Sequence, residues 1–226
     1  MRLEELNWMD VEAYLKGDDR IMLVLGSCEQ HGYLSLLTDI KVPLALADAA
    51  SQQTGVLVAP PLNFGNSPYF LKYPGTISLR ASTLMDVLED MVRSLYGHGF
   101  RRMLVLNGHG GNSASGTRLL ELANQLPDLK LAWYEWWRAT SVTGIGMRHN
   151  LRFFHANWSE NFPFTRVSEL PEGEKQAPQF KGVLNAEGTR STYGDGVFGG
   201  TYQADDAIMQ EIFDAAVKDV LFELEF

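Results

Sequence analysis

A single cysteine, Cys28, occurs in 226 residues, which leaves no intramolecular disulfide and no thiolate zinc finger and points to a reducing compartment. Positive charge is short as well. Nineteen Lys and Arg stand against 28 Asp and Glu, a formal net charge of −9, and a field of that sign repels a phosphate backbone, so no nucleic-acid partner is expected. No apolar run approaches the roughly 18 residues of a membrane helix, and the opening Met1-Arg2-Leu3-Glu4-Glu5 lacks the apolar stretch of a signal peptide. The expectation is a cytoplasmic protein with no membrane partner. Internal repeats and low-complexity segments are missing too. What the chain has is 45% hydrophobic and 21% charged residues and a mean hydropathy of −0.14, the balance of a folded protein that buries a sizeable core, read as one domain over 1–226.

Over the first 135 residues short apolar runs alternate with longer amphipathic stretches, the pattern of an α/β layer fold. Ile21–Leu25, Val56–Ala59 and Met103–Leu106 are continuously apolar, as strands of a parallel sheet buried on both faces must be, and Lys130–Tyr134 is a fourth candidate. Helices are expected from Val42 to about Gln53, from a capping box at Thr83 and Asp86 to the stop at Gly97 and Gly99, from Ser113 to Leu126, and from Ala207 to Leu224. The stretch 140–200, rich in Gly, Asn, Pro and aromatic residues, reads as long functional loops.

Ionisable residues cluster directly after predicted strands, where ligands bind in parallel α/β sheets. Gly26-Ser27-Cys28-Glu29-Gln30-His31 leads on to Asp39; Asn107-Gly108-His109-Gly110-Gly111-Asn112 sets a histidine between glycines on a strand-to-helix turn; His155-Ala156-Asn157-Trp158-Ser159-Glu160 follows in the loop-rich region. Each acid or histidine by itself is most simply a hydrogen-bonded loop residue. Three of the five histidines, however, fall in these segments. Glu29, His31, Asp39, His109, His155 and Glu160 form an oxygen and nitrogen donor set without thiolate, the chemistry of zinc, manganese or iron in a hydrolase, and the count suits two metals better than one.

These motifs resemble the three signatures of the creatininase family: Glu29-Gln30-His31-Gly32 with Thr38-Asp39, Asn107 through Asn112, and His155-Ala156 followed by Glu160. Pro61 with Gly65, and Tyr73-Pro74-Gly75-Thr76, resemble the loop before the family's middle helix, and Gly194-Asp195-Gly196 through Gly199-Gly200 resembles its glycine-rich closing loop. The resemblance runs in order over about residues 18–165. It implies a three-layer α/β/α sandwich with a mostly parallel central sheet and a homohexamer. It also implies two divalent ions per subunit, zinc first with manganese or iron as alternatives, that hydrolyse a C–N bond of a small amide, formamide or cyclic amide. Carried across, Glu29 and His109 would hold one metal, His31 and Glu160 the other, and Asp39 would bridge them and share in catalysis. His155 would stand beside the metals as acid/base or substrate-orienting group, with Trp158, Gly110, Gly111 and Tyr73 toward the small-molecule substrate.

Departures bear on that substrate. The family's first motif usually has one more residue between its glutamate and aspartate, often with a second histidine. True creatininases carry a catalytic glutamate where this chain has Gly111, and of the usual third motif only its second glutamate remains, as Glu160. Relatives that act on peptides or sugar-derived rings mark an alternative. Trp136, Trp137, Phe153, Phe154, Trp158 and Phe162 offer either pocket walls or plain packing. A nucleotide-binding turn at Gly108 and Gly110 would need a third glycine where Ser113 stands, Cys28 as a thiol nucleophile competes with an ordinary small buried cysteine, and a non-catalytic binding module would have little reason to gather so many polar groups.

Overall fold

The computed structural model describes residues 1–225. Helix α1 (Trp8–Tyr14) leads into strand β1 (Arg20–Leu25), then α2 (Thr38–Thr54), β2 (Leu57–Val58), α3 (Ala81–His98), β3 (Arg102–Asn107), α4 (Gly116–Gln125), β4 (Lys130–Glu135) and α5 (Thr140–Arg148). The short strand β5 (Glu174–Lys175), α6 (Ala186–Tyr193), β6 (Gly200–Thr201) and the closing helix α7 (Asp206–Glu223) complete the chain. The four main strands are parallel in the order β2-β1-β3-β4.

Alternation along each strand divides the core in two. Met22 and Val24 of β1 and Leu104 and Leu106 of β3 pack with Leu46 of α2, Val142 of α5 and Ile212 of α7. Ile21, Leu23 and Leu25, with Met103 and Val105, face Leu88 and Val92 of α3 and Leu119 and Leu122 of α4. The result is the three-layer α/β/α sandwich with a parallel central sheet. Each such buried aliphatic side chain contributes roughly 1.5–3 kcal/mol, which explains why Ile21–Leu25 of β1 and Met103–Leu106 of β3 are apolar without interruption.

Register sets Leu25 beside Asn107 and Asn107 beside Glu135, so the segments that follow β1, β3 and β4 all leave from one edge of the sheet. Helix α2 begins at Thr38, ahead of the Val42 expected from periodicity, and contains Pro43. Proline has no N–H to give the Asp39 carbonyl, and that carbonyl is turned against two strand ends. A Cβ on Gly26 or Gly108 would lie 2.3 or 1.9 Å from it. Glycine at these two positions therefore lets the first turn of α2, and Asp39 with it, press onto the sheet edge.

Two further expectations change. Helix α3 starts at Ala81 after Arg80, with no side-chain cap, so Thr83 lies within the helix and forms no capping box with Asp86. The 140–200 stretch holds helices as well as loops. Helix α5, poor in intrinsic propensity with Gly144 and Gly146, is held by Val142 and Ile145 in the core shared with α7.

Candidate metal centre

Five donor side chains reach one point from four segments. The loop after β1 is laced by its own backbone, Glu29 N–H to the Leu36 carbonyl at 2.9 Å and Leu34 N–H to the His31 carbonyl at 2.8 Å, with Gly32 at φ +54°. This brings Glu29 and His31 to the first turn of α2, where Asp39 stands. After β3, the Asn107 side chain clasps the main chain of His109, donating to its carbonyl at 2.8 Å and accepting its N–H at 3.2 Å. Glu160 ends a short 3-10 turn from Trp158 that is opened by the Asn157 side chain, and Ala156, at φ +61°, donates its N–H to Glu160 Oε2 at 2.6 Å.

The Asp39 carboxylate faces both ways. Its Oδ1 is 3.0 Å from His31 Nε2 and its Oδ2 is 3.0 Å from His109 Nδ1. Glu160 Oε1 lies 3.7 Å from the same His31 nitrogen, and Glu29 Oε1 lies 3.3 Å from the same His109 nitrogen. Both imidazoles are oriented from behind. His31 Nδ1 is 3.2 Å from the Glu29 carbonyl, and His109 Nε2 is 2.9 Å from the Asn66 carbonyl, so each ring gives one N–H to main chain and turns its other nitrogen inward, as histidine ligands do.

The buried donors fit a cation. Glu29 Oε2, His31 Nε2 and Asp39 Oδ2 have no hydrogen-bond partner, because close atoms such as His31 Nε2 and Asp39 Oδ1 approach without hydrogen-bond geometry. Three groups of donor atoms lie within 4.8 Å of one another: Glu29, Asp39 and His109; His31, Asp39 and Glu160; and Glu29, His31 and His155. Asp39 belongs to two of them. Burying three carboxylates together is costly without positive charge to offset it.

Without metal, protons carry that charge. Burial opposes protonation of His31 and His109, but Asp39 and Glu160 around the first and Glu29 and Asp39 around the second hold both well above the ordinary imidazole value. Burial opposes ionisation of Asp39 and Glu160, yet the facing imidazoles keep both below the usual carboxylate range. His155 goes the other way, since burial and neighbouring His31 depress it.

His155 lies between Phe70, stacked at 4.6 Å and 18°, and Phe198 at 4.9 Å, with Nδ1 3.8 Å from Glu29 Oε1. A cleft of about 230 Å³ opens over Asp39, His155 and Glu160, walled by Trp137, Phe153 and Phe154 and floored by Gly108 and Gly110. Of the residues expected toward substrate, Gly110 lines this cleft and the others do not. Trp158 is fully buried, its indole N–H given to the Arg152 carbonyl at 2.8 Å, so it braces the Glu160 turn from the core. Tyr73 is 7% exposed and sits against Phe70, and Gly111 packs on Asn66. Trp136 and Phe162 are core residues as well. Cys28 is half-buried, its thiol 3.4 Å from the Gly75 carbonyl.

Sequence reasoning missed the supports. Glu135 Oε1, at the end of β4, accepts from Asn107 Nδ2 and Trp133 Nε1 at 3.1 Å each and from Ser113, while its Oε2 accepts from Arg138. Asn112 joins the Gly26 carbonyl to the Asn66 N–H at 3.0 Å on each side. Asn107 and Asn112 lie within the second motif, whereas Asn66 acts through a carbonyl, which leaves no mark in a sequence.

The profile of the family Creatininase, described as creatinine amidohydrolase, matches residues 4–223. Creatinine amidohydrolase of Pseudomonas putida is 33% identical over 146 residues, 59% of this chain and 56% of that protein. The 3-dehydro-scyllo-inosose hydrolase of Thermotoga maritima is 28% identical over 137 residues, 58% of this chain and 44% of that one. The aligned part thus spans about half the length of these curated relatives. A solved structure of a mutant creatininase described as Zn-Zn type has a TM-score of 0.83 at 24% identity, covering 98% of this chain and 95% of that one.

Proposed function

The chain belongs to the creatininase family, and from that premise we propose that it is a dinuclear-metal-dependent amidohydrolase, built as a single catalytic domain, that cleaves a C–N bond of a small amide, formamide or cyclic amide. The observation that carries this reading is the Asp39 carboxylate, with one oxygen 3.0 Å from His31 and the other 3.0 Å from His109. Glu29 and His109 would hold one divalent ion, His31 and Glu160 the other, with Asp39 shared. Oxygen and imidazole donors suit zinc first, as in the Zn-Zn creatininase, and manganese or iron after it. Ions held there would supply the positive charge that polarises a carbonyl and acidifies water.

The protein's own side chains do the rest. His155, pinned between Phe70 and Phe198, donates a hydrogen bond that orients the scissile carbonyl and the departing nitrogen. Trp137, Phe153 and Phe154 bind a small, flat substrate and keep bulk water from the reacting bond. Creatinine itself is a poor fit, because position 111 has no room for a side chain. A Cβ there would meet the Asn66 carbonyl at 2.0 Å. A sugar-derived ring is the second reading, supported by the inosose hydrolase among the relatives.

The working form we propose is a cytoplasmic homohexamer. Trp8, Phe64 and Val167 are exposed at 71%, 41% and 64% and supply apolar surface for contacts between subunits. The test of the catalytic reading is metal analysis after reconstitution with zinc, manganese or iron, together with hydrolysis of a panel of small amides, formamides and lactams. About two metals per chain and turnover of a panel member are expected; less than about half an equivalent of metal refutes the dinuclear centre.

A further inference from the structure

We propose that Gln30 is a positioning residue that sets the ring tautomer of His155, so that the His155 nitrogen facing the centre carries a proton and acts as a donor instead of a metal ligand. The consequence for catalysis rests on the amidohydrolase reading; the geometry does not.

Gln30 is buried at 5% exposure. Its Oε1 accepts the Gly32 N–H at 3.0 Å and its Nε2 donates to the Gly196 carbonyl at 3.0 Å. These two main-chain partners decide which end of the amide is oxygen and which nitrogen. Gly196, at φ +93°, leaves no freedom for the amide to retreat, since even a Cβ there would lie 1.7 Å from Gln30 Oε1. The second Nε2 hydrogen of Gln30 is left for His155 Nε2, 2.9 Å away.

A neutral imidazole has one ring proton. On Nε2 it would set N–H against N–H at that 2.9 Å contact and turn the bare Nδ1 lone pair toward the Glu29 carboxylate, 3.8 Å off. On Nδ1, the proton leaves Nε2 free to accept from Gln30 and lies on the side of the Glu29 carboxylate, whose negative charge 3.8 Å away favours it. The carbonyl of Gln30, 3.1 Å from His155 Nε2, favours the Nε2–H form, but it is opposed by the shorter amide contact at 2.9 Å and by the charge of Glu29. The ring cannot turn away from this choice. Phe70 stacks on one side, Phe198 packs at 4.9 Å, and Phe198 N–H is anchored to the His155 carbonyl at 3.1 Å. His155 shares a group of possible ligand atoms with Glu29 and His31, and the tautomer decides whether it ligates or donates.

Long-range ¹H–¹⁵N correlation on histidine-labelled protein reads the tautomer directly, in metal-free and zinc-loaded samples, with His155 identified by the signals lost in His155→Gln. The expected result is Nδ1–H on His155 in both samples. In Gln30→Met, which keeps the bulk and removes the donor, the proton should move to Nε2 while bound zinc stays within about two-fold and kcat falls roughly 10- to 100-fold at little-changed KM. Wild-type protein with the proton on Nε2 overturns the proposal, as does a Gln30→Met protein that keeps it on Nδ1. Should Gln30→Met fail to fold, the wild-type spectrum decides alone. Failure of zinc to bind counts against the amidohydrolase reading and leaves the metal-free tautomer standing as a separate result.

Discussion

Gly111 and the Asn66 carbonyl meet so closely that a Cβ at position 111 would lie 2.0 Å from the oxygen. That oxygen also takes the Nε2–H of His109 at 2.9 Å. The glycine is therefore part of how His109 is aimed: it lets the 63–67 loop come near enough to orient the ring. Gly111→Ala should push Asn66 off His109 and weaken metal binding about 10- to 100-fold. Gly110→Ala, where a Cβ would meet nothing within 4 Å, should leave metal affinity as it is. Titration of zinc against a competing chelator checks both, and equal affinities for the two variants would refute the role given to Gly111.

Asp39 and His155 should separate when altered. Asp39→Asn removes the charge between His31 and His109, so metal content and rate should fall together. His155→Ala should keep its metals and lose roughly 10²- to 10⁴-fold in kcat, the usual worth of a positioned proton donor. Elemental analysis beside kinetics on the substrate found tells them apart, and loss of metal from His155→Ala would put that histidine among the ligands.

Metal binding should depend on pH in a set direction. In the metal-free protein His31 and His109 titrate well above the ordinary imidazole value of about 6.5. A cation must displace those protons, so apparent affinity should rise with pH through the raised values and fall as acid restores the imidazolium pair. Isothermal titration with zinc from about pH 6 to pH 9 should show affinity still climbing above pH 7; a plateau from pH 6.5 upward, where an unperturbed histidine is already half deprotonated, would contradict it.

Glu135 should matter at a distance from the reacting atoms. Burial raises the tendency of its carboxyl to stay neutral, but hydrogen bonds from Ser113, Trp133, Asn107 and Arg138 outweigh it and hold the pKa below the usual range. A depressed carboxylate stabilises the fold above its unfolded pKa of about 4.3 and loses that contribution as pH falls through the lower folded value. Glu135→Ala strands the Asn107 and Trp133 donors and should cost about 1–3 kcal/mol in urea unfolding at pH 7. The gap between variant and wild type should narrow below about pH 4. An unchanged midpoint at pH 7 would show that the network carries no stability.

The sequence by itself was enough for the sheet and for the ligand candidates. Ile21–Leu25 and Met103–Leu106 are apolar without a break because both faces are covered, and that demand is written in local composition. Glu29, His31, Asp39, His109 and Glu160 stood out because each follows a strand end or shares a short segment with a histidine. Only the tertiary structure decided how they are aimed. The Asn66 carbonyl behind His109 and Gln30 behind His155 act across 43 and 125 residues of chain, and a main-chain oxygen has no residue type to betray it. The early start of α2 is a tertiary outcome too, since it depends on Gly26 and Gly108 receiving the Asp39 carbonyl. Aromatic residues were the least legible. Trp137 lines the cleft and Trp136 lies in the core, though they are neighbours of the same kind, because which side of a turn meets solvent is settled by what packs against it and not by the side chain itself.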